Sequence, residues 1–226
     1  MVKKYTIKFR EVMDPIIEHV TKFGGQPVWL TEPQWPLSRA TGHPMRFICQ
    51  IALDAELFGP LAGRMAYLFM TEEEEYADQR TWEPDGGENA LIIQPGNYTQ
   101  PTQPLLTGPA VQNWVDTSSG QGQPVDCEYE VELVPGEDPD IIEDIVVRAQ
   151  EPGYDESLPD PLDEDKIGGT PAFLQGPEYP EGGPWKLVLQ LNDPYDYFYV
   201  NFGDAGIGYA FIAEDGNTGN FLWQCA

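Results

Sequence analysis

The sequence is poor in the residues that carry most metal and nucleophile chemistry. It has two histidines, His19 and His43, and three cysteines, Cys49, Cys127 and Cys225. Neither histidine has another histidine or a cysteine at metal-ligand spacing, which argues against a zinc site. Three scattered cysteines in apolar surroundings are too few for a disulfide framework and are typical of reduced, buried thiols. We therefore predict no bound metal and no organic cofactor.

Positive charge is also scarce. Twelve lysines and arginines face 38 aspartates and glutamates, which gives a formal net charge of −26 and a pI near 4.1. Such a surface repels phosphate groups, so nucleic acid and anionic membranes are poor partners. The same charge attracts a basic protein partner, although solubility alone is the other interpretation.

Long apolar runs are missing too. The first residues, Met1 to Glu11, interleave lysine and arginine with apolar residues. This pattern does not fit a signal peptide, and no later stretch reaches the length of a membrane span. The sequence therefore predicts a cytoplasmic protein with no membrane contact.

The sequence does not match the motif of serine hydrolases or the pattern of a calcium-binding loop. There is no G-x-S-x-G, and the few serines lie in loop-like sequence. The stretch from Asp163 to Gly168 begins like a calcium loop, but it places Ile167 and Leu174 where oxygen ligands are required. We expect a binding protein and keep an enzyme as the less favoured class.

Glycine and proline are plentiful, at 23 and 22 residues, and they frame a repeated motif. Residues Lys22 to Leu30 reappear as Lys166 to Leu174, an offset of 144 positions. Residues 47–51 and 63–69 correspond in the same order to 188–191 and 206–211. We predict a single duplicated domain over residues 1–226 with a pseudo-twofold axis. Repeat one covers about 20–124, an acidic intervening segment about 125–165, and repeat two about 166–226.

Paired glycines mark the start of each repeat. They permit a positive φ or a close approach of backbones, and a tight structural turn is favoured over an anion-binding loop. A third glycine turn runs from Gly203 to Gly208, but it leads into a strand and does not match a dinucleotide fingerprint. The turn residues singled out are Gly24, Gly25, Gly168, Gly169, Gly203, Asp204 and Gly206, with Asp204 expected to cap its turn.

Hydrophobic patterning predicts a strand-rich α+β fold with mostly antiparallel sheets and few short helices. The clearest strand is Val125 to Val134, where glutamates alternate with apolar residues. These glutamates require solvent, or lysine and arginine on a neighbouring strand or a partner. Helices are predicted over 138–149, with Asp138 as N-cap, and over 15–22. Further strands are predicted over 65–70, 91–93, 187–191, 195–202, 209–212 and 221–225, the aromatic 195–202 being either a covered strand or a recognition surface.

Four sequence blocks resemble the bacterial YwqG-like family: Lys22 to Pro27, Phe47 to Ile51, Phe202 to Gly208 and Phe221 to Cys225. The resemblance spans residues from about 20 to the end of the chain. It implies a domain of unknown function with an internal duplication and a strand-rich α+β fold. Some members are encoded near polymorphic toxin systems, which implies an immunity or binding role. No catalytic residues come with the resemblance, and the long acidic insertion departs from many relatives.

The favoured hypothesis is a non-enzymatic protein that presents an acidic surface to a basic protein. Residues 126–165 hold sixteen acids against Arg148 alone, a net −15. The predicted contacts are Glu128, Glu130, Glu132, Asp160, Asp163 and Asp165. The alternative is an enzyme or small-ligand binder that uses a cleft between the repeats near Gly24, Gly168 and Asp204.

Overall fold

A computed structural model describes residues 1–72, 80–96, 98–116, 122–141, 163–192, 194 and 196–226. These residues form fourteen strands, one short α-helix and one 3₁₀ turn. The strands are β1 (Val2–Glu11), β2 (Lys22–Gly24), β3 (Trp35–Pro36), β4 (Arg46–Ala52), β5 (Met65–Met70), β6 (Asn89–Gln94), β7 (Thr102–Gln103), β8 (Gln112–Asp116), β9 (Gly122–Asp126), β10 (Glu128–Asp138), β11 (Lys166–Gly168), β12 (Trp185–Asn192), β13 (Ile207–Ala213) and β14 (Gly219–Gln224). Helix α1 is Ala55–Phe58, followed by the 3₁₀ turn Gly59–Leu61.

Ten of these strands form one antiparallel sheet, in the order β14-β13-β12-β11-β1-β10-β2-β4-β5-β6. The sheet curls into a nearly closed barrel, and Gly219 on edge strand β14 packs directly on Leu91 of the other edge strand, β6. The described part of the chain is 44% strand and 4% helix. The predicted α+β class is therefore wrong, and the protein is mostly β.

The sheet is symmetric about its two central strands. Strands β1 and β10 pair over their length, with Lys8 directly opposite Glu132. On one side β10 pairs with β2, and on the other β1 pairs with β11 in the matching register. The equivalence therefore reaches beyond the repeated motif: β1 matches β10, and the pseudo-twofold axis passes beside Lys8 and Glu132. Strand β10 lies within the part of the sequence predicted as the intervening segment.

Buried polar side chains fasten a loop across the outer face of each half. In repeat one this loop, residues 25–31, is named strap one. The buried Gln50 accepts a hydrogen bond from the Val28 N–H at 2.8 Å. The Tyr67 hydroxyl accepts from the Leu30 N–H at 2.7 Å and donates to the Val28 carbonyl at 2.8 Å. Strap one thus obtains its backbone partners from side chains of β4 and β5.

The same bonds recur in repeat two, on residues 169–175, named strap two. Gln190 accepts from the Ala172 N–H at 2.9 Å, and the Tyr209 hydroxyl accepts from Leu174 at 3.1 Å and donates to Ala172 at 2.8 Å. A third pair follows, since Gln94 and Gln224 each accept a backbone N–H at the end of their strap. A buried polar group that loses its hydrogen-bond partner costs about 1–3 kcal/mol, so these side chains fix the path of both straps.

Apolar packing repeats as well. A central core fills the space enclosed by the sheet, and a smaller core lies under each strap. Under strap one the Trp29 ring stacks on Phe69 at 5.9 Å between ring centroids. Under strap two Phe173 stacks on Phe211 at 6.4 Å. Each half therefore carries its own hydrophobic anchor for its strap.

Neither predicted helix matches the described structure. Residues 15–21 are irregular, because the backbone N–H and carbonyl of Ile16 bond to side chains of neighbouring strands. Asp138 ends strand β10, where its carboxylate binds a lysine and a backbone amide instead of starting a helix. Residues 142–149 of that predicted helix lie outside the described residues.

The predicted aromatic strand 195–202 is also wrong. The chain turns after β12, where the Tyr197 and Phe198 amides both donate to the Pro194 carbonyl. Phe198 then enters the central core and stacks on Phe23 at 5.8 Å. The alternating aromatic pattern reflects a core-filling loop, and Tyr195 lies outside the described residues.

The paired glycines have positive φ in both repeats. Gly24 and Gly25 have φ of 69° and 61°, and Gly168 and Gly169 have φ of 69° and 77°. The Gly25 N–H donates to the Cys127 carbonyl at 2.9 Å. Gly169 makes the equivalent bond to its neighbouring strand, so these two amides already have partners within the fold.

Replacing Gly24 tests this turn. A Cβ at Gly24 would lie 2.3 Å from the Cys127 carbonyl oxygen, whereas one at Gly42, with a similar φ of 72°, meets nothing within 4 Å. We expect Gly24→Ala to lower the free energy of unfolding by about 3 kcal/mol or more and Gly42→Ala by about 1 kcal/mol. Urea unfolding measures both, and equal losses would contradict the role assigned to the turn.

Candidate functional site

A buried lysine opens each repeat, and its charge organises the surrounding residues. Lys22 is 1% exposed and pairs with Glu128 on β10. Its ammonium also donates to the Ile16 carbonyl at 3.1 Å, while Glu128 accepts the Ile16 N–H at 3.1 Å. The Lys22–Glu128 pair thus binds both the carbonyl and the N–H of Ile16, and so holds the loop between β1 and β2 in place.

Repeat two satisfies its buried lysine differently. Lys166 donates to Asp138 and to the Thr170 carbonyl, each at 2.7 Å. Lys4 reaches the other oxygen of Asp138 at 2.7 Å and also pairs with Glu164. Two lysines and two acids therefore share one buried network.

Register explains the difference between the halves. Glu128 lies opposite Gly24, and Lys4 lies opposite Gly168, so Glu128 and Lys4 occupy equivalent positions. Where repeat one has an anion beside its lysine, repeat two has a second cation. Asp138 supplies the missing negative charge, because an unpaired charge in this location would be costly.

The network shifts the pKa values of its members. Burial alone would raise the pKa of Asp138, but hydrogen bonds from Lys166 and Lys4 outweigh burial and hold it below its usual value. Burial alone would lower the pKa of Lys4, yet its bonds to Asp138 and Glu164 raise it. Both groups therefore keep their charges at neutral pH, which suits a structural role.

The predicted acidic contacts are placed as follows. Glu128 pairs with Lys22, Glu130 pairs with Arg10, and Glu132 lies opposite Lys8 across the ladder. Glu128 and Glu130 thus have a lysine and an arginine on a neighbouring strand, which is one of the alternatives stated above for these glutamates. Asp163 is exposed, whereas Asp160 lies outside the described residues.

Asp165 is the least conventional of the predicted acids. Burial raises its pKa to about 7, and the neighbouring Glu164 adds to the shift. Its carboxylate accepts the Asn192 N–H at 2.8 Å. Asp165 therefore sits at the entry to β11 as a carboxyl group whose charged form is disfavoured.

The turn residues do not meet in one cleft between the repeats. Gly24 and Gly168 flank the central pair on opposite sides, three strands apart across the sheet and at opposite ends of the β1–β10 ladder. Asp204 lies exposed in the loop before β13, and Asn201 caps that turn by accepting the Gly203 N–H at 2.9 Å. Gly206 allows a close approach, because a Cβ there would overlap the Phe202 carbonyl.

A cavity of about 560 Å³ opens instead beside Gly25, between strap one and the neighbouring segments. We name it the strap-one cleft. Its walls come from four separate segments, and the Lys22–Glu128 pair is part of its lining. The lining residues are Pro15, Ile16, Ile17, Lys22, Gly25, Gln26, Pro27, Val28, Trp29, Thr31, Pro33, Leu106, Ala110, Val111, Asp126, Cys127 and Glu128.

Gln26 holds the far wall of this cleft in place. Its side-chain amide donates to the Gly108 carbonyl at 3.1 Å and accepts the Gly108 N–H at 2.8 Å. Ile17 and Leu106 remain 75% and 70% exposed on the cleft's edge. The cleft is therefore a fixed apolar surface open to solvent, and nothing in the sequence pattern pointed to it.

Nucleophile and metal chemistry find little support in the described residues. Burial raises the pKa of the Cys49 thiol above its usual range and that of Cys127 to about 12. Cys225 is half-buried, and none of the three is in a disulfide. Over the described ranges, no three His, Cys, Asp or Glu side chains group closely enough to hold a metal ion.

Comparison with protein families gives one match. A model described as a domain of unknown function, DUF1963, matches residues 21–221. The protein belongs to the DUF1963 family. No curated protein matches the DUF1963 chain. In the part of the chain that the structure describes, no helix is long and apolar enough to cross a membrane.

Removing the buried charge of Lys22 tests its structural role in this DUF1963 domain. Lys22→Met leaves Glu128 without its partner, so we expect a loss of about 3–5 kcal/mol in the free energy of unfolding. Adding Glu128→Leu should recover much of that loss, because both charges are then absent. The control is Lys3→Met, whose exposed pair with Glu56 should contribute less than about 1 kcal/mol. Equal losses from Lys22→Met and Lys3→Met would contradict the assignment.

Asp165 predicts a specific pH dependence. The pKa of the Asp165 carboxyl group is about 7 in the folded protein and 3.8 in the unfolded chain. The protonated carboxyl group therefore makes its full contribution to stability below pH 3.8, and this contribution is lost as pH rises through 7. Asparagine carries no such charge, so Asp165→Asn should gain stability over the wild type between pH 4 and 8, by up to about 4 kcal/mol. Thermal unfolding across that range measures the gain, with the exposed Asp163→Asn as control. A stability difference between Asp165→Asn and the wild type that is the same at every pH would contradict this prediction.

Proposed function

We propose that this protein is a non-enzymatic binding protein that presents an acidic surface to a basic protein partner. It acts in the cytoplasm and is of the immunity type that a YwqG-like relationship implies. The observation that carries the proposal is the use of its few cations within the fold. That use leaves the acidic charge facing outward.

Many basic side chains already pair with acids of the same chain. Within the described residues, seven of the chain's twelve lysines and arginines form ion pairs with its own acids. These are Lys3, Lys4, Arg10, Lys22, Arg46, Arg80 and Lys166. Lys186 donates to the Leu57 carbonyl and lies over the Phe58 ring. Because these cations already have partners, the remaining acids give the surface a negative electrostatic potential, which attracts a basic partner.

This arrangement changes which acids are suited to contact a partner. Glu128 and Glu130 hold cations of this chain, so their charges are already offset. Asp14, Glu18 and Asp126 are exposed and lie on the segments that border the strap-one cleft. These three acids therefore join Asp163 as the contacts we propose.

The strap-one cleft favours a second candidate, a small-ligand binder. Its volume of about 560 Å³ falls within the range of roughly 300–1,000 Å³ that is usual for ligand pockets. This candidate uses repeat one alone, in place of the space between the repeats. The exposure of Ile17 and Leu106 counts against it, because small-molecule sites cover most of their ligand.

Salt-dependent association tests the favoured function. A partner captured from the native cell is purified, and its association rate is measured by stopped flow at low and high salt. We expect the rate to fall by about tenfold or more with salt, because attraction between opposite charges is screened. Asp14→Asn, Glu18→Gln and Asp126→Asn together should slow association at low salt.

The matched control removes three exposed acids from repeat two, by Glu178→Gln, Glu181→Gln and Glu214→Gln. This control changes net charge equally and should slow association less. An acidic partner, a rate indifferent to salt, or equal effects of the two triple variants would contradict the proposal.

A further inference from the structure

Two strongly exposed apolar side chains, Ile17 and Leu106, line the strap-one cleft, and the segments that form its walls expose more. The segment between β1 and β2 exposes Met13, Ile17 and Val20, and the opposite wall exposes Leu106. The β8–β9 hairpin, whose last residue Asp126 lines the cleft, exposes Trp114, Val115 and Val125. Exposed apolar groups gathered around a concave surface are typical of sites where another protein binds.

The cleft is preformed. The Lys22–Glu128 pair holds Ile16, the Gln26 amide holds Gly108, and strap one is fixed by Gln50 and Tyr67. Each wall is therefore tied down by hydrogen bonds within this chain. Binding to a surface that is already ordered loses little conformational freedom, which favours affinity.

The exposed charges on the border of the cleft are negative. Asp14, Glu18 and Asp126 are exposed on its border, and the lysine in its lining, Lys22, is paired with Glu128. An apolar segment that docks here is therefore favoured when lysine or arginine flanks it. An acidic or phosphorylated segment is repelled.

We propose that the strap-one cleft binds a segment of a basic protein in which a large apolar residue lies next to lysine or arginine. The apolar residue packs between Ile17 and Leu106, and the flanking cations face Asp14, Glu18 and Asp126. This inference rests on the proposed function and names the surface and the partner chemistry that serve it.

Selection from a random peptide library tests the inference. Peptides displayed on phage are selected on the full-length protein and then titrated as synthetic peptides. We expect the selected peptides to combine a large apolar residue with lysine or arginine. Leu106→Ser should weaken their binding about tenfold or more, because a buried apolar contact is lost. Methyl NMR of the wild type should place the largest shifts at Ile17, Val28 and Leu106.

The control variant is Ile141→Ser, which alters another exposed side chain, 78% accessible, beyond the far end of β10. It should leave binding unchanged. Basic peptides that bind Leu106→Ser as tightly as they bind the wild type would show that the cleft is not their binding site, and the proposed function would still stand. Peptides without basic residues, or no selected peptides, would overturn both. A selected set of acidic peptides would do the same.

Discussion

Two lysine ammonium groups inside the fold constrain the rest of the structure. Lys22 and Lys166 are at most 1% exposed, so each requires an anion and a carbonyl within reach. The central strand β10 supplies the anion for both, through Glu128 at one end and Asp138 at the other. The long β1–β10 ladder is therefore the element that serves both repeats, and the two halves of the barrel are built outward from it.

The same constraint makes the two halves differ. In repeat one a single glutamate offsets Lys22 and also fixes the loop between β1 and β2, leaving a cleft beside strap one. In repeat two Lys4 replaces that glutamate, and Asp138 and Glu164 complete a buried network. The longer connection, from β10 to β11, carries much of the acidic sequence. The two halves thus offset their buried lysines in different ways, and the cleft lies beside strap one.

Local sequence predicted the parts of the fold that depend on neighbouring residues. The paired glycines indicated positive φ, and Met65–Met70 was predicted with its observed bounds. The helix prediction at Asp138 failed because a distant lysine, Lys166, uses the carboxylate. Strand β1 was missed, although Tyr5, Ile7 and Phe9 alternate with polar residues. The strap-one cleft could not be predicted from local sequence, since its walls come from four segments that meet only after folding.

Hydrogen exchange of the protein, alone and with its captured partner, tests the account most directly. Binding slows amide exchange where the partner excludes water and stabilises local structure. We expect new protection in residues 12–20 and 104–111, with little change in strap two. Protection confined to strap two or to the β12–β14 half, or no change at either wall of the cleft, would contradict the assignment of binding to repeat one.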